Sequence, residues 1–174
     1  MRIIIKISFI IIWSALALSQ EKKVTLAVLD FENNSLADKE KMEPLSKGIS
    51  SLIVSKMSSI ESITFVERER LNDILKELKL EQSSSIDPST AQQIGKLLGA
   101  QTLIVGSFMN FPGDIMRIDL RIIETETGLT LKAEEATGDT KNIFNIVDDL
   151  AAKVTSELGF ELPETPDIQL STEK

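Results

Sequence analysis

TFVERERLNDILKELKLEQ, residues 64–82, is the stretch on which the fold turns. Thr64, Phe65 and Val66 are β-formers, and Glu67-Arg68-Glu69-Arg70 follows them without a spacer. Leu71, Ile74, Leu75 and Leu78 then recur at the three- and four-residue spacing of one helical face. A strand running straight into an amphipathic helix requires a sheet for that face to lie on.

Working outward, KVTLAVLDF (23–31) is apolar on both sides: Val24, Leu26 and Val28 alternate with Ala27, Leu29 and Phe31. This predicts a central strand covered on both faces. Glu32-Asn33-Asn34-Ser35 reads as a loop of turn formers, and Ala37 to Glu43 as irregular or briefly helical. Pro44 opens a helix to about Ser59, with Leu45, Ile49, Leu52, Ile53, Met57 and Ile60 as its buried stripe. Asp87 as N-cap, Pro88 in the first turn and Gly99 past the end bracket another helix, with Ala91, Ile94, Leu97 and Leu98 inward. Thr102–Met109 is a second buried strand, in which Gly106 marks close approach of a neighbour or a bulge.

Asn110 to Asp114 turns the chain into a strand with Met116, Ile118, Leu120 and Ile122 on one face and Arg117, Asp119 and Arg121 on the other. Glu126-Thr127-Gly128 closes a hairpin. On the return strand Leu129, Leu131 and Ala133 are expected to continue the apolar face, with Thr130, Lys132 and Glu134 outward. A last helix runs from about Thr140 to Leu158 and stops at Gly159. The order strand, helix, strand, two helices, three strands, helix predicts an α/β fold with a mixed sheet of about five strands.

Composition narrows the function. The 174 residues carry 19 basic and 27 acidic side chains, a formal charge of −8, which offers no footprint for nucleic acid. There is no Cys and no His, so thiolate nucleophiles, imidazole bases and the common zinc ligands are missing from the sequence. Arg2 and Lys6, the apolar run Ile7–Leu18 and Ala17-Leu18-Ser19 have the layout of a signal peptide cleaved after Ser19, which predicts export. Without a Cys at that junction, lipidation there is excluded. Cleavage would remove two bases and no acid, moving the charge from −8 to −10. One domain is expected over residues 20–160, with no membrane-spanning segment in the mature chain, and the Pro-containing tail 161–174 is expected to be disordered.

VTLAVLDFENNS (24–35), FVERERLNDILKELKLEQS (65–83), the Ala91–Ala100 helix ending in LLGA and TLIVGSF (102–108) together resemble the soluble periplasmic domain of the curli production assembly/transport component family. Small flagellar outer-membrane-associated proteins are related to it. The resemblance implies a periplasmic protein, peripheral to the outer membrane, that works through an envelope protein partner and self-associates. The joints at Asn110–Asp114 and Glu124–Gly128 lack the roughly 20 inserted residues that a membrane hairpin needs. The expectation is therefore a non-enzymatic assembly or secretion accessory without a cofactor or metal. The alternative is an envelope ligand-binding or cell-wall-enzyme-regulating module.

Candidate site residues cluster in two places. Asp30, Asn33 and Asn34, with Glu32, could offer oxygen ligands to a hard cation, although turn chemistry explains them more simply. Glu67 and Arg68 form either a recognition patch or a structural joint, in which Arg68 bridges loop carbonyls near Asp30 or Asn33. For self-association, the half-exposed strand 115–123 is the expected pairing edge.

Overall fold

A computed structural model of the protein describes residues 23–80 and 86–163. The elements are β1 (Val24–Val28), β2 (Glu32–Asn33), α1 (Lys39–Met42), α2 (Leu45–Met57), β3 (Ile63–Phe65), α3 (Arg68–Glu77), α4 (Pro88–Leu98), β4 (Thr102–Phe111), β5 (Ile115–Glu124), β6 (Thr130–Asp139) and α5 (Ile143–Glu157). They form one six-stranded mixed sheet in the order β3-β1-β4-β5-β6, with the two-residue β2 pairing alongside β4. β1 runs parallel to β3 and β4, while β4, β5 and β6 form an antiparallel meander. The sixth strand is one more than the sequence suggested, because Glu32 and Asn33 extend the sheet instead of turning.

Two cores lie on opposite faces. Leu26, Val28, Ile104, Phe108, Met116, Ile118 and Leu120 pack against Ile49, Ile53 and Met57 of α2 and Val147, Leu150 and Val154 of α5. On the other face Ala27, Leu29, Leu103, Val105 and Ile123 meet Leu71 of α3 and Ala91, Ile94 and Leu98 of α4. β1 contributes to both cores, as its double-sided pattern requires. Phe31 departs from that alternation. It lies in the first core with Val28, because β1 ends at Val28 and the strand phase is lost before β2 begins.

α4 follows its punctuation closely. The Asp87 carboxylate accepts the Thr90 N–H at 2.8 Å, Pro88 sits in the first turn, and Gly99 adopts φ 68°. Thr90 and Ser89 donate to that carboxylate and hold its pKa below the usual range. Gly106 marks a close approach: a Cβ there would lie 2.4 Å from the Phe31 ring and 2.5 Å from the Asp119 carbonyl oxygen.

The return strand is the main correction. Met116, Ile118, Leu120 and Ile122 pair with Gly138, Ala136, Glu134 and Lys132, so those four share the face under α5. Between Ile122 and Ile123 the register shifts, with Ile123 opposite Thr130, which leaves Leu131 as the extra residue. A single extra residue exchanges the two faces. Leu131 and Ala133 are consequently exposed, and Leu129, which precedes β6, is exposed beside the turn. Asn110 is a strand residue too, while Pro112, Gly113 and Asp114 make the tip of the hairpin. The signal segment 1–19 lies outside the described residues, as does the tail from Glu164. Of the expected disordered tail, Leu162 instead packs against the first core.

Candidate functional site

The two sequence-predicted clusters meet at the carboxyl ends of β1 and β3. Arg68, the first residue of α3, directs Nη1 and Nη2 to Asp30 Oδ1, both at 2.7 Å. Nη2 also donates to Ser50 Oγ at 2.5 Å, and that hydroxyl lies 3.2 Å from Asp30 Oδ1. One guanidinium thus joins β1, α2 and α3, which belong to different layers. It does so through a carboxylate and a hydroxyl; the loop carbonyls expected from the sequence are not its partners. Ser50, buried in the middle of α2, was not singled out by sequence, since nothing in a helical serine announces a distant arginine. Arg70 turns the other way and donates from Nη2 to the Leu97 carbonyl at 3.1 Å, near the end of α4.

Asn33 is buried and serves the neighbouring loop. Its Nδ2 donates to the Lys39 carbonyl at 2.8 Å and to Glu43 Oε2 at 2.9 Å, while Oδ1 accepts the Ser35 N–H at 3.1 Å. It therefore ties α1 to the sheet. The Asn34 N–H donates to the Phe108 carbonyl at 2.8 Å. Glu67 occupies the N-cap position of α3 without a side-chain capping bond. Asp30 and Asn33 face different neighbours, so the loop does not converge as a ligand shell. No group of three or more acidic side chains suited to a metal occurs among the described residues. Glu32 carries a buried carboxylate oxygen, Oε2, that has no hydrogen-bond partner among them.

Asn110 is a second hub that the sequence did not disclose, having the composition of a turn. It is 2% exposed. Its N–H donates to Ser35 Oγ at 3.1 Å, its carbonyl accepts the N–H groups of Leu36 and Ala37, and its Oδ1 accepts from Thr140 Oγ1 at 2.9 Å. Three chain segments are fastened there.

Past the row of Leu103 and Ile123, and Val105 beside it, no helix of the described chain covers the second sheet face. Across β4, β5 and β6 the register aligns Val105, Arg121 and Ala133, then Ser107, Asp119 and Glu135, then Met109, Arg117 and Thr137. All of these except Met109 and Thr137 line a shallow groove of about 520 Å³. Arg117 grips Asp119 through Nε at 3.0 Å and Nη2 at 2.6 Å, and Nη2 also reaches Glu135 Oε2. The Asp119 contacts hold the Arg117 guanidinium above its usual pKa. Arg121, half-buried in the same groove, has no side-chain ion pair or hydrogen bond among the described residues. The alternation of Arg117, Asp119 and Arg121 in the sequence had already marked this face as polar.

β5 is paired on both sides, so the expected edge at 115–123 is interior and the outer edge belongs to β6. That edge is guarded: Lys153 of α5 donates from Nζ to the Glu135 carbonyl at 2.8 Å.

The model of the family described as curli production assembly/transport component CsgG matches residues 14–115, more than half of the sequence. The chain belongs to this family. The matched span holds the β3-β1-β4 half of the sheet and both hubs, Arg68 and Asn110, and it ends where β5 begins. A search of curated proteins returned no match. Among solved structures, TolB from Acinetobacter baumannii aligns at a TM-score of 0.54 and 12% identity, over 78% of this chain and 28% of TolB. The chain therefore spans little more than a quarter of that protein. Hypothetical protein CT253 from Chlamydia trachomatis aligns at 0.52 and 11% identity, over 79% of this chain and 99% of its own. Lipoprotein GNA1162 from Neisseria meningitidis aligns at 0.51 and 10% identity, over 75% and 96% respectively. At such identities the likeness is one of fold. No helix among the described residues is long and apolar enough to cross a membrane.

Proposed function

We propose that this CsgG-family chain is an exported, non-enzymatic accessory of an envelope assembly or secretion system. It acts in the periplasm, peripheral to the outer membrane, by protein–protein contact. Family membership supports the envelope setting, since the family is named for assembly and transport of curli. The observation that carries the contact role is the uncovered face of β4, β5 and β6, where a fixed row of charges is set on a rigid sheet. Asp30, Arg68 and Asn33 hold the frame in this reading. Asn34 and Glu67, whose side chains make no hydrogen bond among the described residues, are left to a partner.

The test is affinity capture from envelope extracts of the native host, with the wild-type chain and with Ala133→Arg, which crowds the open face. A specific envelope protein retained by the first and lost by the second is the expected result. Recovery of no envelope protein above background would overturn the proposal. A second reading, an envelope ligand-binding or cell-wall-regulating module, is favoured by the cleft of about 710 Å³ lined by Asp30, Glu32, Asn33, Lys39 and Lys47. A thermal shift with soluble peptidoglycan fragments that Asn33→Leu abolishes would select it.

A further inference from the structure

β6 turns its side chains against their own chemistry. Lys132 and Glu134 pair with Ile122 and Leu120, on the face under α5, and only 20% of the Glu134 side chain is exposed. Leu131 and Ala133 stand outside, Leu131 with 47% of its surface exposed. The cause is one surplus residue. At one end Thr130 faces Ile123, and the Glu124 N–H donates to the Leu129 carbonyl at 3.0 Å. At the other Ala136 faces Ile118, and the Thr140 N–H donates to the Asp114 carbonyl at 2.8 Å. Between these fixed ends four residues of β5, 119–122, face five of β6, 131–135. One of the five must be left over, and the structure leaves over Leu131.

We infer that β6 has a second register, in which the surplus residue is Glu135. Leu131 then stands opposite Ile122 and Ala133 opposite Leu120, so that both enter the face under α5 in place of Lys132 and Glu134. This is the alternation that residues 129–134 themselves carry. Arg117 keeps a carboxylate partner through the move. It reaches Glu135 in the structure, and because Glu134 and Glu135 are adjacent and identical, the shift brings Glu134 opposite Asp119 in its stead. Lys132 opposes the move. It comes to lie opposite Arg121 and leaves Glu134 and Glu157, its neighbours at 3.7 and 3.9 Å. Lys153, which donates to the Glu135 carbonyl from the outer edge, also favours the first register. Apolar burial thus pulls one way and charge the other. β6 is the outer strand among the described residues, so the surplus residue travels by exchanging backbone bonds with β5. The two forms show different surfaces on the open side: Leu131 and Ala133 in one, Lys132 and Glu134 in the other. A partner of that face that prefers one form holds β6 in it. This consequence rests on the contact role proposed above; the two registers do not.

Two single-residue deletions in the full chain separate the forms. Removing Leu131 leaves four residues against four in the register of the structure, and removing Glu135 leaves four against four in the other. Both variants should fold, and the amides of Arg121, Ile122, Lys132 and Ala133 should take different NMR positions in the two. The unaltered chain should show microsecond-to-millisecond exchange at those amides by relaxation dispersion, with shift differences that match the differences between the variants. Both deletions should abolish that exchange. So should Leu131→Asp, which penalises the inward form without changing the chain length. A Glu135 deletion that does not fold, an unaltered chain without exchange, exchange that survives Leu131→Asp, or shift differences that match neither variant would overturn the inference. These measurements involve no partner, so failure of this inference and failure of the assembly role are told apart.

Discussion

The two halves of the sheet solve the same problem differently. In the parallel half, β1 and the start of β4 are roofed on both faces, by α2 on one side and by α3 and α4 on the other. In the antiparallel half, α5 covers one face of β5 and β6, while on the second face α4 reaches only the Ile123 end of β5 and Arg117, Asp119 and Arg121 are left on display. The parallel crossovers bring their helices with them, whereas hairpins bring none. What distinguishes the halves is therefore connectivity, and the exposed face follows from it.

The sharpest way to break this contrast lies on its border. Gly106→Val would drive a side chain into the Phe31 ring and the Asp119 backbone, since even a Cβ would come within 2.5 Å of both. A loss of about 3 kcal/mol is expected in urea unfolding. Next comes Arg68→Ala, which leaves Asp30 and Ser50 without the donor that joins the layers. Because the Arg68 side chain is 37% exposed, the expected cost is only about 1–2 kcal/mol by the same measurement. Asn110→Ala removes the side-chain bonds to Thr140 Oγ1 and the Ala37 carbonyl, should cost a similar amount, about 1–2 kcal/mol, and should speed amide exchange at Thr140 more than at Leu36 and Ala37, whose bonds to the backbone carbonyl of residue 110 remain. Equal acceleration at all three amides would show that the side chain also holds the backbone of β4 in place.

On the open half, Arg121→Gln and Glu135→Gln should each change stability by no more than about 0.5 kcal/mol. A larger cost would mean that this face is structural. The smallest effect concerns acid. The Asp87 carboxyl is more acidic folded than unfolded, so its contribution is complete above its unfolded pKa. It is lost as pH falls from that value through the lower folded one. Asp87→Asn should therefore remove a small stability difference at pH 7 that has already vanished near pH 2, read as the difference in thermal midpoint at the two pH values.

Some of this was plain in the residues and some was not. The ends of α4 were legible to the residue, because Asp87, Pro88 and Gly99 each act locally, whereas Leu97, expected inward, is exposed and Gly95 takes a buried place beside Ile94 and Leu98. So was the two-faced β1, whose alternation needs no partner to be read. The return strand was misread because its phase depends on a register shift that exists only when β5 and β6 are paired. Phe31 was misplaced for a related reason: alternation holds within a strand, and Asp30 lies between two of them. The Arg68 joint was half legible. Asp30 was the right neighbour, yet Ser50 lies 18 positions away and only the crossover brings it near. The position of Arg117, Asp119 and Arg121 on one face followed from spacing alone, but that no helix would cover them did not.

The order in which β1 finds its neighbours has a temporal consequence. Its partner β3 closes a loop of some three dozen residues, but β4 begins only at Thr102, nearly eighty residues after β1 starts. For a chain that emerges from its amino end, the central strand stays half-finished while β3, α3 and α4 are delivered, with one apolar edge waiting. β4, β5 and β6 are neighbours in sequence and zip up quickly once they arrive. The last third of the chain therefore completes the sheet as a unit, and a delay before it leaves the centre of the sheet unpaired.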